Sequence, residues 1–120
     1  MNDMLLLSAG VIATSAAIIH GYLTQKYLVS PILSFTCSDS RMFSRLRAML
    51  IQYSTFSWVI GGVALILATQ LETEARRAII VLVGAGYAFA VTGNAWATSG
   101  RHVGWMVYSV VLAMLIFAWR

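Results

Sequence analysis

The sequence predicts an all-α fold, a transmembrane up-down-up-down four-helix bundle, on three observations. Four apolar runs, Met4 to Leu23, Leu46 to Ala68, Ala78 to Ala97 and Val103 to Trp119, fill most of the chain. Each is close to or above the roughly 18 apolar residues that cross about 30 Å of hydrocarbon. Of the 120 residues, 60% are hydrophobic and only 10% charged, which leaves no room for a soluble domain. Two of the three connecting stretches are too short to do more than turn the chain, so consecutive helices are expected side by side, because lipid forbids unsatisfied backbone between them.

Taken in order, the first span is expected over about 4–24. It opens Met-Asn-Asp-Met, with an acidic residue where a signal peptide carries basic ones, and is read as a retained helix. An interfacial loop is expected over about 25–44, containing the sole proline, Pro31, in an apolar stretch too short to span. Asp39 or Ser40 is the expected N-cap of the next helix, whose basic first turns lead into a span over about 46–69. The third and fourth spans are expected over about 77–98 and 102–119. All four belong to a single transmembrane domain.

Small residues suggest how the spans meet. Ala9, Ala13, Ala17 and Gly21 recur every four residues in the first, and Gly84, Ala88 and Thr92 repeat the spacing in the third, the pattern that lets membrane helices approach closely. Most tryptophans and tyrosines fall near span ends, where interfacial belts account for them.

The net charge of +4 is a matter of topology, with no nucleic acid implied. Lys26, Arg41, Arg45, Arg47 and Arg101 lie on one side; Arg76, Arg77 and Arg120 lie on the other. Five against three places both termini outside and the first and third connections in the cytoplasm. With so thin a margin, insertion in both senses and an antiparallel dimer stay open. The single cysteine, Cys37, forms no intrachain disulfide.

Polar residues at membrane depth gather toward the cytoplasmic ends: His20 closing the first span, Arg45 and Gln52 on one face of the second helix, Asn94 near the end of the third, and Arg101, His102 and Trp105 opening the fourth. Ionisable residues inside a membrane are expensive and point to a site; the competing reading is a headgroup layer in which His and Arg snorkel. His20 and Gln52 are the two that reading explains least. In the outer halves, Ser8, Thr14, Ser15, Tyr108 and Ser109 are expected to bond within their own helices.

Two histidines at similar depth can ligate a b-type haem; His, Asn and Trp can hold a quinone or a lipid headgroup; Arg45 and Arg101 can hold an anion. The donor set for a metal is short, and Asp3, Asp39, Glu72 and Glu74 all lie outside the spans, so no carboxylate orients a histidine for hydrolysis. No enzymatic activity is expected.

The fragment Ser54-Thr55-Phe56-Ser57 resembles an element of small fluoride channels, though it stands here in the second span without that family's glycine-rich, arginine-ending motif. Small multidrug transporters carry a carboxylate in the first span that this chain lacks. Over most of its length the chain resembles uncharacterised small bacterial four-span inner-membrane proteins, through His20-Gly21, Pro31, Arg45 to Arg47, and Gly100-Arg101-His102-Val103-Gly104-Trp105. That resemblance implies a bacterial inner-membrane setting and no activity. The functional expectation is an accessory subunit or binding module, docked to a larger membrane complex or to its own copies, with a cytoplasm-facing polar pocket. The alternatives are an oligomeric channel or transporter and a haem- or quinone-linked electron-transfer subunit.

Overall fold

The computed structural model describes residues 2–34 and 41–120. The chain is all-helical, with no strand among the described residues. Three helices are long and apolar enough to cross a membrane, which suggests a membrane-embedded protein. The elements are α1 (Asp3–Thr24), a π turn (Gln25–Val29), α2 (Ser30–Ser34), α3 (Arg41–Ala68), α4 (Thr73–Ala97) and α5 (Gly104–Trp119). α5 is more apolar than these three but has only 16 residues.

α1, the π turn and α2 form one continuous rod from Asp3 to Ser34, so the loop expected over 25–44 is helix as far as Ser34. The cause lies at Pro31. Proline has no N–H and its ring collides with the carbonyl four residues back, which normally breaks or kinks a helix. Here the backbone widens just before it: the Ser30 N–H bonds Gln25 O, five residues back, and the Ser30 hydroxyl donates to the same oxygen at 2.9 Å. A π turn next to proline lets the rod run on. The capping expected of Asp39 or Ser40 lies outside the described residues.

The four long helices form a ring. α1 packs on α3, α3 on α4, α4 on α5, and α5 closes back onto α1, while the diagonals keep their backbones apart and meet only through side chains, Arg76 with Asp3 and Trp58 with Tyr108. The α1–α3 seam is the most extensive. Ala9, Ala13, Ala17 and Gly21 are all buried. The tightest crossing lies beside that stripe, at Gly10 and Gly62. A Cβ on Gly10 would stand 2.8 Å from Gly62 O, and one on Gly62 would stand 2.7 Å from Thr14 N. Side chains of any size would force these two backbones apart, the requirement that small residues meet in membrane helix pairs. The third-span repeat behaves differently: Gly84 is half-buried, but Ala88 and Thr92 are exposed and the Thr92 hydroxyl bonds back to Ala88 O and Phe89 O.

α1 and α3 outrun their partners. From His20 to Ser34 is fourteen residues, about 21 Å of helix, and α3 runs beside this extension from Arg41. The two make an arm beyond the four-helix section, and the molecule reaches 54 Å in length.

One residue organises the opposite end. Arg76, in the first turns of α4, donates from Nε to Ala68 O at 3.0 Å and from Nη2 to Thr69 O at 2.8 Å and Leu71 O at 3.2 Å, and its Nη1 meets Asp3 Oδ1 at 2.5 Å. The last carbonyls of a helix have no partner within it; Arg76 supplies one for α3 and reaches α1 as well. Asn2 completes this end, its N–H bonding Ala118 O of α5 and its side chain accepting from Leu5 N. The Arg76 side chain is only 14% exposed against 60% for Asp3, so the carbonyl bonds, shielded from water, outweigh the ion pair.

Arg76→Ala is therefore expected to destabilise the protein by about 2–3 kcal/mol and Asp3→Asn by less than about 1 kcal/mol, measured by thermal unfolding in mild detergent. Equal losses would assign the effect to the ion pair instead.

Candidate functional site

Each of the four long helices sends one ring into the middle of the bundle: His20 from α1, Trp58 from α3, Tyr87 from α4 and Tyr108 from α5. The rings form a chain. Tyr87 and Tyr108 have centroids 4.8 Å apart, Tyr108 and Trp58 5.1 Å, and Trp58 and His20 4.9 Å, all tilted, the geometry aromatic pairs favour. His102, from the α4–α5 connection, adds a fifth ring edge-on to His20 at 5.9 Å. The chain thus runs from the bundle centre to the rim opposite Arg76.

Both phenols are anchored across helices. Tyr87 Oη donates to Trp58 O at 3.0 Å and Tyr108 Oη to Ala13 O at 3.3 Å. Tyr108 was expected to satisfy itself within its own helix, but no carbonyl of α5 lies within reach of a phenol that projects across the bundle. Thr14 and Ser109 do follow that expectation, bonding Gly10 O and Trp105 O.

His102 is aimed by the segment Gly100 to Trp105. Gly100 has φ +74, a left-handed conformation that glycine takes without steric cost, and its N–H bonds back to Ala95 O, closing α4. The Trp105 indole Nε1 donates to Gly100 O at 3.0 Å. Gly104 N–H donates to His102 Nδ1 at 3.0 Å, and a Cβ on Gly104 would press on the imidazole at 2.8 Å, so only glycine leaves room for the ring. The Gly-Arg-His-x-Gly-Trp sequence is a self-bonded turn.

That bond determines what His102 can offer. A Nδ1 that accepts a hydrogen bond carries no proton, so neutral His102 has its hydrogen on Nε2. A histidine that ligates a metal through Nε2 normally donates from Nδ1 to an acceptor; here Nδ1 faces a donor. His102 therefore presents an N–H, suited to an acceptor oxygen and unsuited to a haem iron shared with His20.

The structure brings His20 and His102 together and sets Asn94 close by, its Nδ2 4.0 Å from the Cβ position of Gly104. Arg101 is exposed beside them, and Trp105 is half-buried behind the turn. Gln52 belongs to a separate polar group one step down the arm, donating to Gln25 Oε1 at 2.8 Å and Gly21 O at 3.5 Å, near Thr55, whose buried hydroxyl has no hydrogen-bond partner. Arg45 is exposed on the arm, thirteen residues or about 20 Å along α3 from Trp58. Trp58, Tyr87 and Tyr108 were missing from the candidates. The available signal was their depth within apolar runs, together with polar atoms that lipid cannot satisfy. Among the described residues no three His, Cys, Asp or Glu side chains are placed to hold a metal ion.

No protein-family model, curated protein or solved structure matches the chain.

In ¹⁵N-labelled protein, His102 is expected to show a protonated Nε2 and a non-protonated Nδ1, and Gly104→Ala to disturb that pattern by crowding the ring. A protonated Nδ1 would reverse the assignment of His102 as a donor.

Proposed function

We propose that the chain is a non-enzymatic accessory or binding protein of a bacterial inner membrane, crossing it four times in up-down-up-down order, with its working site at the His20–His102 rim. Support for the topology comes from which ends meet. Asn2, Asp3, Ala68, Arg76 and Ala118 are joined by hydrogen bonds at one end, and His20 touches His102 at the other. The five-to-three distribution of basic residues favours the His102 end in the cytoplasm and both termini outside without imposing it. The likeness to small bacterial four-span proteins carried by Gly100 to Trp105 agrees with that setting.

The observation that carries the reading is the His102 Nε2–H held at a rim walled by His20 and Trp58, with Arg101 alongside. A donor on an aromatic wall, next to a cation and without a carboxylate among the described residues, suits an amphiphile with an acceptor head, such as a quinone carbonyl or a lipid phosphate oxygen, by hydrogen bonding alone. Nothing in the arrangement supplies a nucleophile with its base, so binding rather than turnover is the role proposed.

Purification in mild detergent followed by mass spectrometry is expected to recover a bound amphiphile or a larger membrane complex, and His102→Ala to lower its occupancy at least tenfold while the protein stays folded. A stripped, solitary chain from native membranes, or occupancy indifferent to His102, would overturn the proposal.

A further inference from the structure

The outward face of α4 is patterned by size. Among the described residues, the three most exposed large hydrophobic side chains of the whole molecule are Trp96 at 86%, Phe89 at 81% and Leu82 at 73%, and they stand seven residues apart on this one helix. Between them lie Gly86 and Gly93, and a Cβ placed on either would meet nothing within 4 Å. Leu82, Gly86, Phe89, Gly93 and Trp96 thus alternate in steps of four and three, the spacing of a coiled-coil seam, with every second position a glycine.

Neither glycine serves the protomer. Gly10 and Gly62 admit a neighbouring backbone, but Gly86 and Gly93 face open space, and each disfavours the helix relative to alanine. Lipid alone places no demand for a missing side chain at a seven-residue interval. An approaching helix does, because without a hydrophobic driving force in the bilayer, helix association relies on close fit.

The same pattern selects the partner and its direction. In a parallel, in-register pair of α4 helices, Phe89 would oppose Phe89 and Gly86 would oppose Gly86, so the bulky layers would hold the glycine layers apart. In an antiparallel pair centred between Tyr87 and Ala88, Leu82 opposes Gly93, Gly86 opposes Phe89, and Ile79 opposes Trp96, each large side chain meeting a glycine or an aliphatic residue. No charged residue occurs from Ala78 to Ala97, so two copies of the face meet without repulsion. Antiparallel pairing requires copies inserted in opposite senses, and a five-to-three distribution of basic residues opposes that only weakly.

We propose that the outward face of α4 binds the same face of a second copy of this chain inserted in the opposite orientation, Phe89 and Leu82 of each copy seating against Gly86 and Gly93 of the other. The interface is isologous, so it closes as a dimer. It lies on a different helix face from the His102 site and stands or falls separately from it.

Two differently tagged copies of the full chain, each with Cys37→Ser, are coexpressed with one new cysteine apiece and oxidised in native membranes. The mixed pairs Gly86→Cys with Phe89→Cys, and Leu82→Cys with Gly93→Cys, are expected to give disulfide-linked dimer at least tenfold above same-residue pairs at position 82 or 96 and above the exposed, off-seam Ala88→Cys. Gly86→Leu, which meets nothing in its own protomer, is expected to cut dimer in native mass spectrometry at least tenfold while leaving the thermal unfolding of the monomer unchanged or raised. Same-residue cross-links at 82 and 96, no enrichment of the mixed pairs, or a monomer throughout would overturn the proposal.

Discussion

Two phenol hydrogen bonds close the ring of helices. In a bilayer, apolar side chains gain little by leaving lipid for each other, so helices are held by close packing and by polar groups that have nowhere else to go. Tyr87 gives its hydroxyl to α3 at Trp58 O and Tyr108 gives its hydroxyl to α1 at Ala13 O. The first supports a seam between chain neighbours; the second joins the last helix to the first. With those bonds made, the Tyr108 ring lies against Tyr87 on one side and Trp58 on the other, and Trp58 in turn supports His20. The placement of His20 is thus set by the packing that closes the bundle.

The two ends of the bundle solve different problems. At one, Arg76 gathers three carbonyls and a carboxylate, converting the unsatisfied end of α3 into a joint with α4 and α1. A guanidinium suits this because its donors fan out in a plane, where an ammonium concentrates them at a point. At the other end, the chain satisfies itself locally: Trp105 covers Gly100 O and Gly104 serves His102 Nδ1. Because those needs are met within the turn, the Nε2–H of exposed His102 is left over. One end spends its polar groups on structure, and the other retains a donor.

How much of this was legible in the sequence depended on the range of the cause. The apolar runs and the Ala9-Ala13-Ala17-Gly21 stripe were readable because length and four-residue spacing are local properties. The nearness of His20 and His102 could be anticipated from alternating short connections. Pro31 was misleading, since a proline in a polar-flanked stretch reads as a loop unless the widening at Gln25–Val29 is known, and that widening has no residue signature. Arg76 looked like one more charge in a connector, because its partners are backbone carbonyls, which the sequence does not distinguish. The same holds for Tyr108: its acceptor is Ala13 O, 95 residues away. The Gly84-Ala88-Thr92 spacing met the same rule as the α1 stripe, but the rotation of α4 that turns it partly outward is decided by Tyr87 pointing inward.

That rotation also separates the glycines into two kinds. Gly10 and Gly62 stand where backbones already touch, so their missing side chains are accounted for within one chain. Gly86 and Gly93 stand on the helix whose inward face is fixed by Tyr87, Ala90 and Ile80, all buried. Turning α4 to bury them would withdraw the Tyr87 hydroxyl from Trp58 O and bring Leu82, Phe89 and Trp96 into a bundle already filled by rings. The interaction that closes the protomer therefore also fixes which face of α4 is left outside, and that face carries alternating bulk and absence with no use inside the molecule. A helix face with knobs and hollows at coiled-coil spacing is complementary to itself only when reversed, and in a membrane reversal means opposite insertion. The near-balance of basic residues at the two ends, a weak feature by itself, is what a chain needs to populate both orientations.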